Sequence, residues 1–507
     1  MKRKTLVSAV LSVLLLAALA ANVHATEVKL TASDGAERDS FGLSVAISGD
    51  YAVVGAHLND DTGSQSGSAY IFKHDGAAWT EQAKITASDG VAGDFFGVSV
   101  AISGDYAVVG AHLNDDTGSQ SGSAYIFKRD GTAWIEQDKI NASDGAVHDL
   151  FGGSVAISGD YAIVGAHKDY GYAVMVAHKD DGAASYSGSA YIFKRNGTVW
   201  TEQAKITAND GTAHDSFGRS VAISGDYAVV GARLEDGAGE HSGSAYIFKR
   251  NGTAWIEQAK ITASDGAERD FFGESVAISG DYAVVGAYGD DDTGSQSGSA
   301  YIFKRDGTVW AEQAKITASD DAAHDCFGGS VAISGDYAIV GATGNDDAGW
   351  HSGSAYIFKR DGTAWTEQAK INASDGAVHD LFGGSVAISD DYAIVGAKGN
   401  DDAGDKSGSA YIYMIGIFSC DSEGDPKDQF APGETVHVTG TNLPASTTNT
   451  SSDNKYREPT SSPTVKSEKQ PNGIPTSTKN DAKTPAFEAI SAIAGLLAVA
   501  YILRRRQ

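Results

Sequence analysis

The sequence predicts an all-β protein, a seven-bladed β-propeller of four-stranded blades closed by its own N-terminal strand. Three observations predict it. A Phe-Gly pair recurs at Phe41, Phe96, Phe151, Phe217, Phe272, Phe327 and Phe382, at intervals of 55 residues with one interval of 66. Such a period marks an array of one supersecondary unit. Each unit holds four short runs rich in Val, Ile, Tyr and Trp, parted by tight-turn signals. The seventh unit stops after three runs, and the start of the chain offers a fourth.

In the first copy the runs cover about Ser44–Ser48, Tyr51–His57, Ser68–Lys73 and Trp79–Ala87. Runs one and two are joined by Ser48-Gly49-Asp50. Runs three and four are joined by Asp75-Gly76, or by Asn196-Gly197 and Asn251-Gly252 in other copies. Asn-Gly and Asp-Gly suit the positive φ angles of a tight hairpin. Four strands in an up-and-down meander make one propeller blade.

The seventh copy ends at Tyr411-Ile412-Tyr413, and Thr26–Ser33 matches the fourth run Thr201–Ala208 of another copy. The two ends therefore complete one blade between them. That removes the unpaired edge an open array would leave, whereas a solenoid would need caps. The third copy carries 11 extra residues, Tyr170 to Asp180, read as a local duplication looped out between its second and third strands.

Residues 1–25 read as a signal peptide, with Lys2-Arg3-Lys4, an apolar run from Leu6 to Ala21 and cleavage after Ala25. The propeller occupies 26–414. A short β-like remnant follows at 415–444, with one strand between Gly433 and Gly440. Residues 445–484 are a Ser/Thr/Pro-rich linker, expected to be a disordered stalk. Residues 485–507 form a C-terminal membrane anchor or sorting signal, an apolar helix from Ala489 to Leu503 whose Arg504-Arg505-Arg506 stay on the cytoplasmic side.

The formal net charge is −27, which argues against a nucleic-acid partner. The loops between second and third strands are acidic, and Asp60, Asp61, Asp115, Asp116, Asp290, Asp291, Asp292, Asp346, Asp347, Asp401 and Asp402 are candidate weak calcium ligands. The alternative is that they shape Gly-rich turns. The crossovers between blades are acidic too, as at Asp34 with Asp39 and Asp89 with Asp94. Strand direction puts these loops and crossovers on one face. The opposite face collects Lys73, Lys128-Arg129, Lys194-Arg195, Lys249-Arg250, Lys304-Arg305 and Lys359-Arg360, so a disc with an acidic and a basic face is expected. His148, His214, His324 and His379 recur in crossovers and read as surface residues. Cys326 and Cys420 are too few for a disulfide framework, and Cys326 reads as a small semi-buried residue. Glycosylation candidates are Asn141, Asn196, Asn251, Asn372 and Asn449.

The Phe41-Gly42 pair with Val54-Gly55-Ala56, and its six equivalents, resembles the FG-GAP repeat, the propeller repeat of integrin α-subunit heads. The resemblance spans Thr26 to Tyr413 and implies a propeller used in adhesion, scaffolding or accessory domains. Calcium-binding members carry an Asp-x-Asp-x-Asp-Gly loop between the first and second strands. Here that loop is Ser-Gly-Asp, as at Asp50, Asp105 and Asp160, so that calcium site is not carried over. The tail from Pro485-Ala486-Phe487 resembles the PGF-CTERM sorting signal of archaeal surface proteins, with Ala486 where the family has Gly. That resemblance implies removal of the tail by an archaeosortase and replacement by a lipid anchor.

These readings converge on an exported, membrane-anchored surface protein, monomeric and non-enzymatic, that binds an extracellular protein or glycan. The alternatives are a polysaccharide-acting enzyme and a purely structural component of the cell envelope. No Gly-x-Ser-x-Gly elbow or His-Glu-x-x-His zinc motif occurs.

Overall fold

A computed structural model describes residues 27–167, 186–415, 419–420 and 437–438. Met1–Pro444 and Ala445–Gln507 cluster as separate units, and the described residues all belong to the first. The cleavage point after Ala25, the Tyr170–Asp180 insertion, most of 415–444, the linker, the C-terminal helix and Asn449 lie outside the described residues. In the 415–444 region, Ser419–Cys420 pairs with His437–Val438.

The described residues form seven four-stranded antiparallel sheets and no helix. In blade 1 the strands are Ser44–Ser48, Tyr51–Ala56, Ser68–His74 and Trp79–Ile85. All six residues of Tyr51–Ala56 are buried. This is why the second strand reads as a continuous apolar run. A neighbouring blade covers each of its faces, so no alternation with polar residues is required. The fourth strand Trp79–Ile85 mixes buried and exposed positions, as an outer strand should. First strands touch first strands all round the ring, blade 7 against blade 1 included. Each core cluster straddles two blades. Val53 and Ile71 of blade 1, for example, pack with Phe96, Val109 and Tyr125 of blade 2.

The Phe-Gly motif links each blade to its predecessor. Gly67 precedes the third strand of blade 1 at φ +86°, and a Cβ there would sit 2.0 Å from the carbonyl oxygen of Phe96. Only glycine tolerates both the angle and the approach. The gap closes as a parallel bridge between Gly67 and Phe96, repeated to Gly353 and Phe382 and finally between Gly408 and Phe41. Phe41 itself is fully buried, edge-on to Tyr70 at 5.4 Å.

Blade 7 is assembled from both ends of the ring. Glu27, Val28, Lys29 and Leu30 pair with Tyr413, Ile412, Tyr411 and Ala410. The alignment of Thr26–Ser33 with Thr201–Ala208 needs one correction. In blades 1 to 6 the fourth strand has a bulge, visible in blade 3 where Tyr191 faces Lys205 and Phe193 faces Glu202. The N-terminal strand is one residue shorter and has none, so Lys29 rather than Leu30 takes the place that Lys205 holds in blade 3.

A buried aspartate ends each crossover: Asp39, Asp94, Asp149, Asp215, Asp270, Asp325 and Asp380. In blades 1, 2, 6 and 7 an asparagine amide satisfies it. Asn59 donates to Asp39 at 3.0 Å, Asn114 to Asp94 at 3.1 Å, and Asn345 and Asn400 to Asp325 and Asp380 at 3.2 Å. Blade 5 has Asp290 instead, also buried. Burial, with the Asp290 charge adding to it, pushes the Asp270 carboxyl up to about 6.

Two outcomes are expected. Leu30→Ala should destabilise the ring by about 2–5 kcal/mol, because the side chain is 3% exposed and packs with Phe41 and Val45. Denaturant unfolding checks this against Ile85→Ala at the matching place in blade 1, and a negligible shift at Leu30 would show the terminal strand not to be part of the core. Asp290→Asn should raise stability by about 1 kcal/mol at pH 7–8 by restoring the amide donor to Asp270. A carboxyl raised in the fold costs stability once ionised. The gain is therefore present above about pH 6 and fades as the pH falls toward 4, where the folded Asp270 takes up a proton. Thermal unfolding across that range reads it.

Candidate functional site

The loops between second and third strands and the crossovers between blades share one face, as strand direction requires. Each blade brings a crossover aspartate, a tyrosine of the third strand and a lysine of the fourth strand together there. In blade 1, Tyr70 donates its hydroxyl to Asp34 at 2.8 Å and Lys84 donates to Asp34 at 2.6 Å. The Lys84 ammonium also lies 5.2 Å from the centre of the Tyr70 ring and is ion-paired with Asp61. Burial alone would raise the Asp34 carboxyl, but the bonds from Lys84 and Tyr70 outweigh it and hold it below its ordinary value.

This unit answers for six of the eleven candidate calcium ligands, Asp290 among them. Asp116, Asp292, Asp347 and Asp402 pair with Lys139, Lys315, Lys370 and Lys29 as Asp61 does with Lys84. The others cap their own loops. Asp60, Asp115, Asp291, Asp346 and Asp401 accept backbone N–H bonds from Gln65, Gln120, Gln296, His351 and Lys406 at 2.6–2.7 Å. Asp265, Asp290 and Asp292 of blade 5 come within 4.8 Å of one another, and the ammonium of Lys315 is bonded to all three. A divalent ion at these sites would have to displace a lysine. The sequence reading named these carboxylates but not their lysines, whose signal was the recurring Lys of the Trp-x-Glu-Gln-x-Lys-Ile motif.

The opposite face is not the basic surface expected from its Lys and Arg residues. Arg129, Arg195, Arg250, Arg305 and Arg360 pair with Asp105, Asp160, Asp226, Asp281 and Asp336 of the first turns on that same face. Each arginine also covers a tyrosine of the preceding blade, as Arg129 covers Tyr51 at 4.7 Å, with Lys73 over the same ring at 5.7 Å. Charge there is matched and tied down on aromatic rings.

Asn196 and Asn251 are exposed at the third turns of this turn face. Asn141 and Asn372 lie on the loop face, where their amides reach Asp116 at 3.4 Å and Asp347 at 3.1 Å. Cys326 is a free, half-buried thiol. His148, His214, His324 and His379 are exposed, as expected, and adopt positive φ angles of 67–75°.

Internal comparison of the blades locates their differences. On the turn face the first turn reads Ser-Gly-Asp-Tyr in six blades, and the third turns vary little more. The loop face differs from blade to blade. Trp350 stands where blades 1, 2 and 5 have Ser64, Ser119 and Ser295. It is 60% exposed, with His351 and His379 rings 4.9 and 5.0 Å from its own and the half-exposed Val378 nearby in sequence. The residue after each Phe-Gly pair varies as well, and so does the residue after each second strand. Sequence reasoning treated the blades as near-identical and missed these positions.

Comparison with known proteins agrees with this architecture. The model of the FG-GAP repeat matches residues 25–72, 79–127, 134–193, 200–248, 255–303, 310–358 and 365–413. The PGF-CTERM motif matches residues 484–506, which marks a sorting tail of surface-anchored proteins. No curated protein matches the chain. Among solved structures 528 chains match. One belongs to "Crystal Structure of Mitotic Checkpoint Complex", at 12% identity and a TM-score of 0.46, covering 78% of this chain and 95% of that one. With seven consecutive segments matched over most of its length, the chain belongs to the FG-GAP repeat family.

Proposed function

We propose that this is an exported, non-enzymatic surface protein that holds an extracellular protein or glycan on the loop face of its propeller. The observation that carries the reading is that the largest blade-to-blade differences lie on that face. A residue required by the blade itself recurs from copy to copy, as the Ser-Gly-Asp-Tyr turn does in six blades. A residue that departs from its six counterparts answers to something other than the fold. Trp350 is the largest such departure, an exposed indole flanked by two imidazoles, and an aromatic platform of this kind suits a sugar ring or a partner's anchor residue.

The path of the chain supports the same orientation. The third strand of blade 7 ends at Met414, and Ile415 then donates to the carbonyl of Asp391 at 2.9 Å, on the turn face. The chain thus leaves the propeller on the face opposite the loops. Calcium has no part in this reading, because lysines pair with six of the candidate carboxylates and the other five cap their own loops.

A binding screen of the full chain against glycans and surface proteins, with and without calcium, tests the proposal. Trp350→Ala should weaken the best hit at least about tenfold, equal to about 1.4 kcal/mol. Ile256→Ser, at an exposed residue of an outer strand, should leave it unchanged. Millimolar calcium should alter neither affinity nor melting temperature appreciably. Binding that survives Trp350→Ala but is lost on changing the Lys and Arg residues of the turn face would overturn the assignment of the face.

A further inference from the structure

The seven residues that follow the second strands are His57, His112, His167, Arg233, Tyr288, Thr343 and Lys398. Those that follow the Phe-Gly pairs are Leu43, Val98, Gly153, Arg219, Glu274, Gly329 and Gly384. Both sets belong at the loop-face end of the innermost strands, where the blades converge on the axis. The interactions confirm the convergence. Lys398 of blade 7 lies within electrostatic reach of Arg219, three blades away, and of His57 in blade 1, which is in turn influenced by His112. Arg219 Nη1 is 3.3 Å from His167 Nε2. Arg219 and Arg233 both bond Glu274, each at 2.9 Å.

The charge of this axial mouth opposes that of the face around it. Among the described residues it gathers three permanent cations, Lys398, Arg219 and Arg233, and three imidazoles against the single carboxylate of Glu274. Glu274 is engaged by both arginines. No described carboxylate is bonded to Lys398, and burial, followed by the Arg219 charge, holds its ammonium below the ordinary value. His57 is a neutral imidazole at pH 7, its value lowered to about 4 by burial and then by Lys398 and His112. Its Nδ1 is buried with no hydrogen-bond partner. An enclosed cation lacking a counter-charge is costly, and the surrounding structure focuses its field on whatever enters.

Among the described residues there is room beside Lys398. Gly329 and Gly384 have ordinary φ angles, so the backbone does not require glycine at either place. A Cβ on Gly329 would meet only the carbonyl oxygen of Cys326, at 3.3 Å, and one on Gly384 would come no nearer than 3.2 Å to Leu381 and 3.6 Å to Thr343. The positions that follow the Phe-Gly pairs of blades 6 and 7 thus put no side chain into the mouth.

We propose that the axial mouth binds a compact oxyanion, with Lys398 as its charge partner and the His57 and Arg219 groups completing the cradle. Oxygen-rich anions suit such a donor set, because charge-assisted hydrogen bonds to them are short and strong. The site is separate from the Trp350 platform and does not depend on what that platform holds.

Calorimetric titration of the full chain with inorganic phosphate, inorganic sulfate and glucuronate tests it. One-to-one binding with a Kd of about 1 mM or tighter is expected for at least one probe. Binding of the inorganic ions alone identifies a free oxyanion, and binding of glucuronate alone identifies an acidic sugar. Lys398→Met should weaken the interaction at least about tenfold. Lys398→Arg should restore it, which excludes simple misfolding, and Lys304→Met on the turn face should leave it as it was. No heat from any probe at about 10 mM, or undiminished binding by a folded Lys398→Met protein, would overturn the proposal.

Discussion

The ring depends on one close approach. Where the third strand of each blade begins, a glycine backbone lies against the backbone of the phenylalanine opening the next blade, at a distance no side chain could share. That contact sets the separation between blades and brings the phenylalanine ring into a core built from two sheets. Serines of the first strands add to it. Ser44, Ser99, Ser154, Ser220, Ser275 and Ser330 each donate to the carbonyl of the glycine in the next Phe-Gly pair, at 2.7–2.9 Å. Blade number and spacing follow from a contact made seven times with the same geometry, the last across the gap between the two ends of the chain.

Around that frame the side chains divide by face. Turn-face charges are matched within the blade and laid over tyrosine rings of the preceding one, and the same residues do this in blades 2 to 6. Loop-face acids are more numerous, but each blade supplies a lysine at the end of its fourth strand, so the rim is far less bare than its carboxylate count suggests. The net charge of −27 is a property of the whole chain and describes neither the turn face nor the axis well.

Much of the fold was legible in the sequence because its signals are local and repeated. The 55-residue period, the hairpin glycines and the split seventh unit each lie within a short stretch of chain. The rim lysines were visible but not placed, because their direction depends on a bulge. In blade 1 the register slips between Ile71 and Phe72, so Glu81 and Lys84 face the same side although three residues apart. Simple alternation puts them on opposite sides. The basic face was misjudged for a related reason, since the aspartates that balance it sit in a different turn of the same blade. The axial residues were out of reach altogether. Arg219 and Lys398 are far apart in the chain and belong to blades three places apart in the ring, and only its closure makes them neighbours.

The shared seventh blade imposes an order on assembly. Glu27 and Tyr413 are hydrogen-bonded side chains 386 positions apart, so the first strand to be synthesised has no partner until nearly the whole propeller exists. Six sheets can form as the chain lengthens, each settling on the one before. The closing step instead joins segments of the greatest possible sequence separation, the kind of contact that forms slowly. Until it occurs the nascent molecule is a horseshoe with two raw edges, open to proteases and to pairing with its own kind. A chaperone that shields the leading strand until closure would act at the most vulnerable stage of this protein's life.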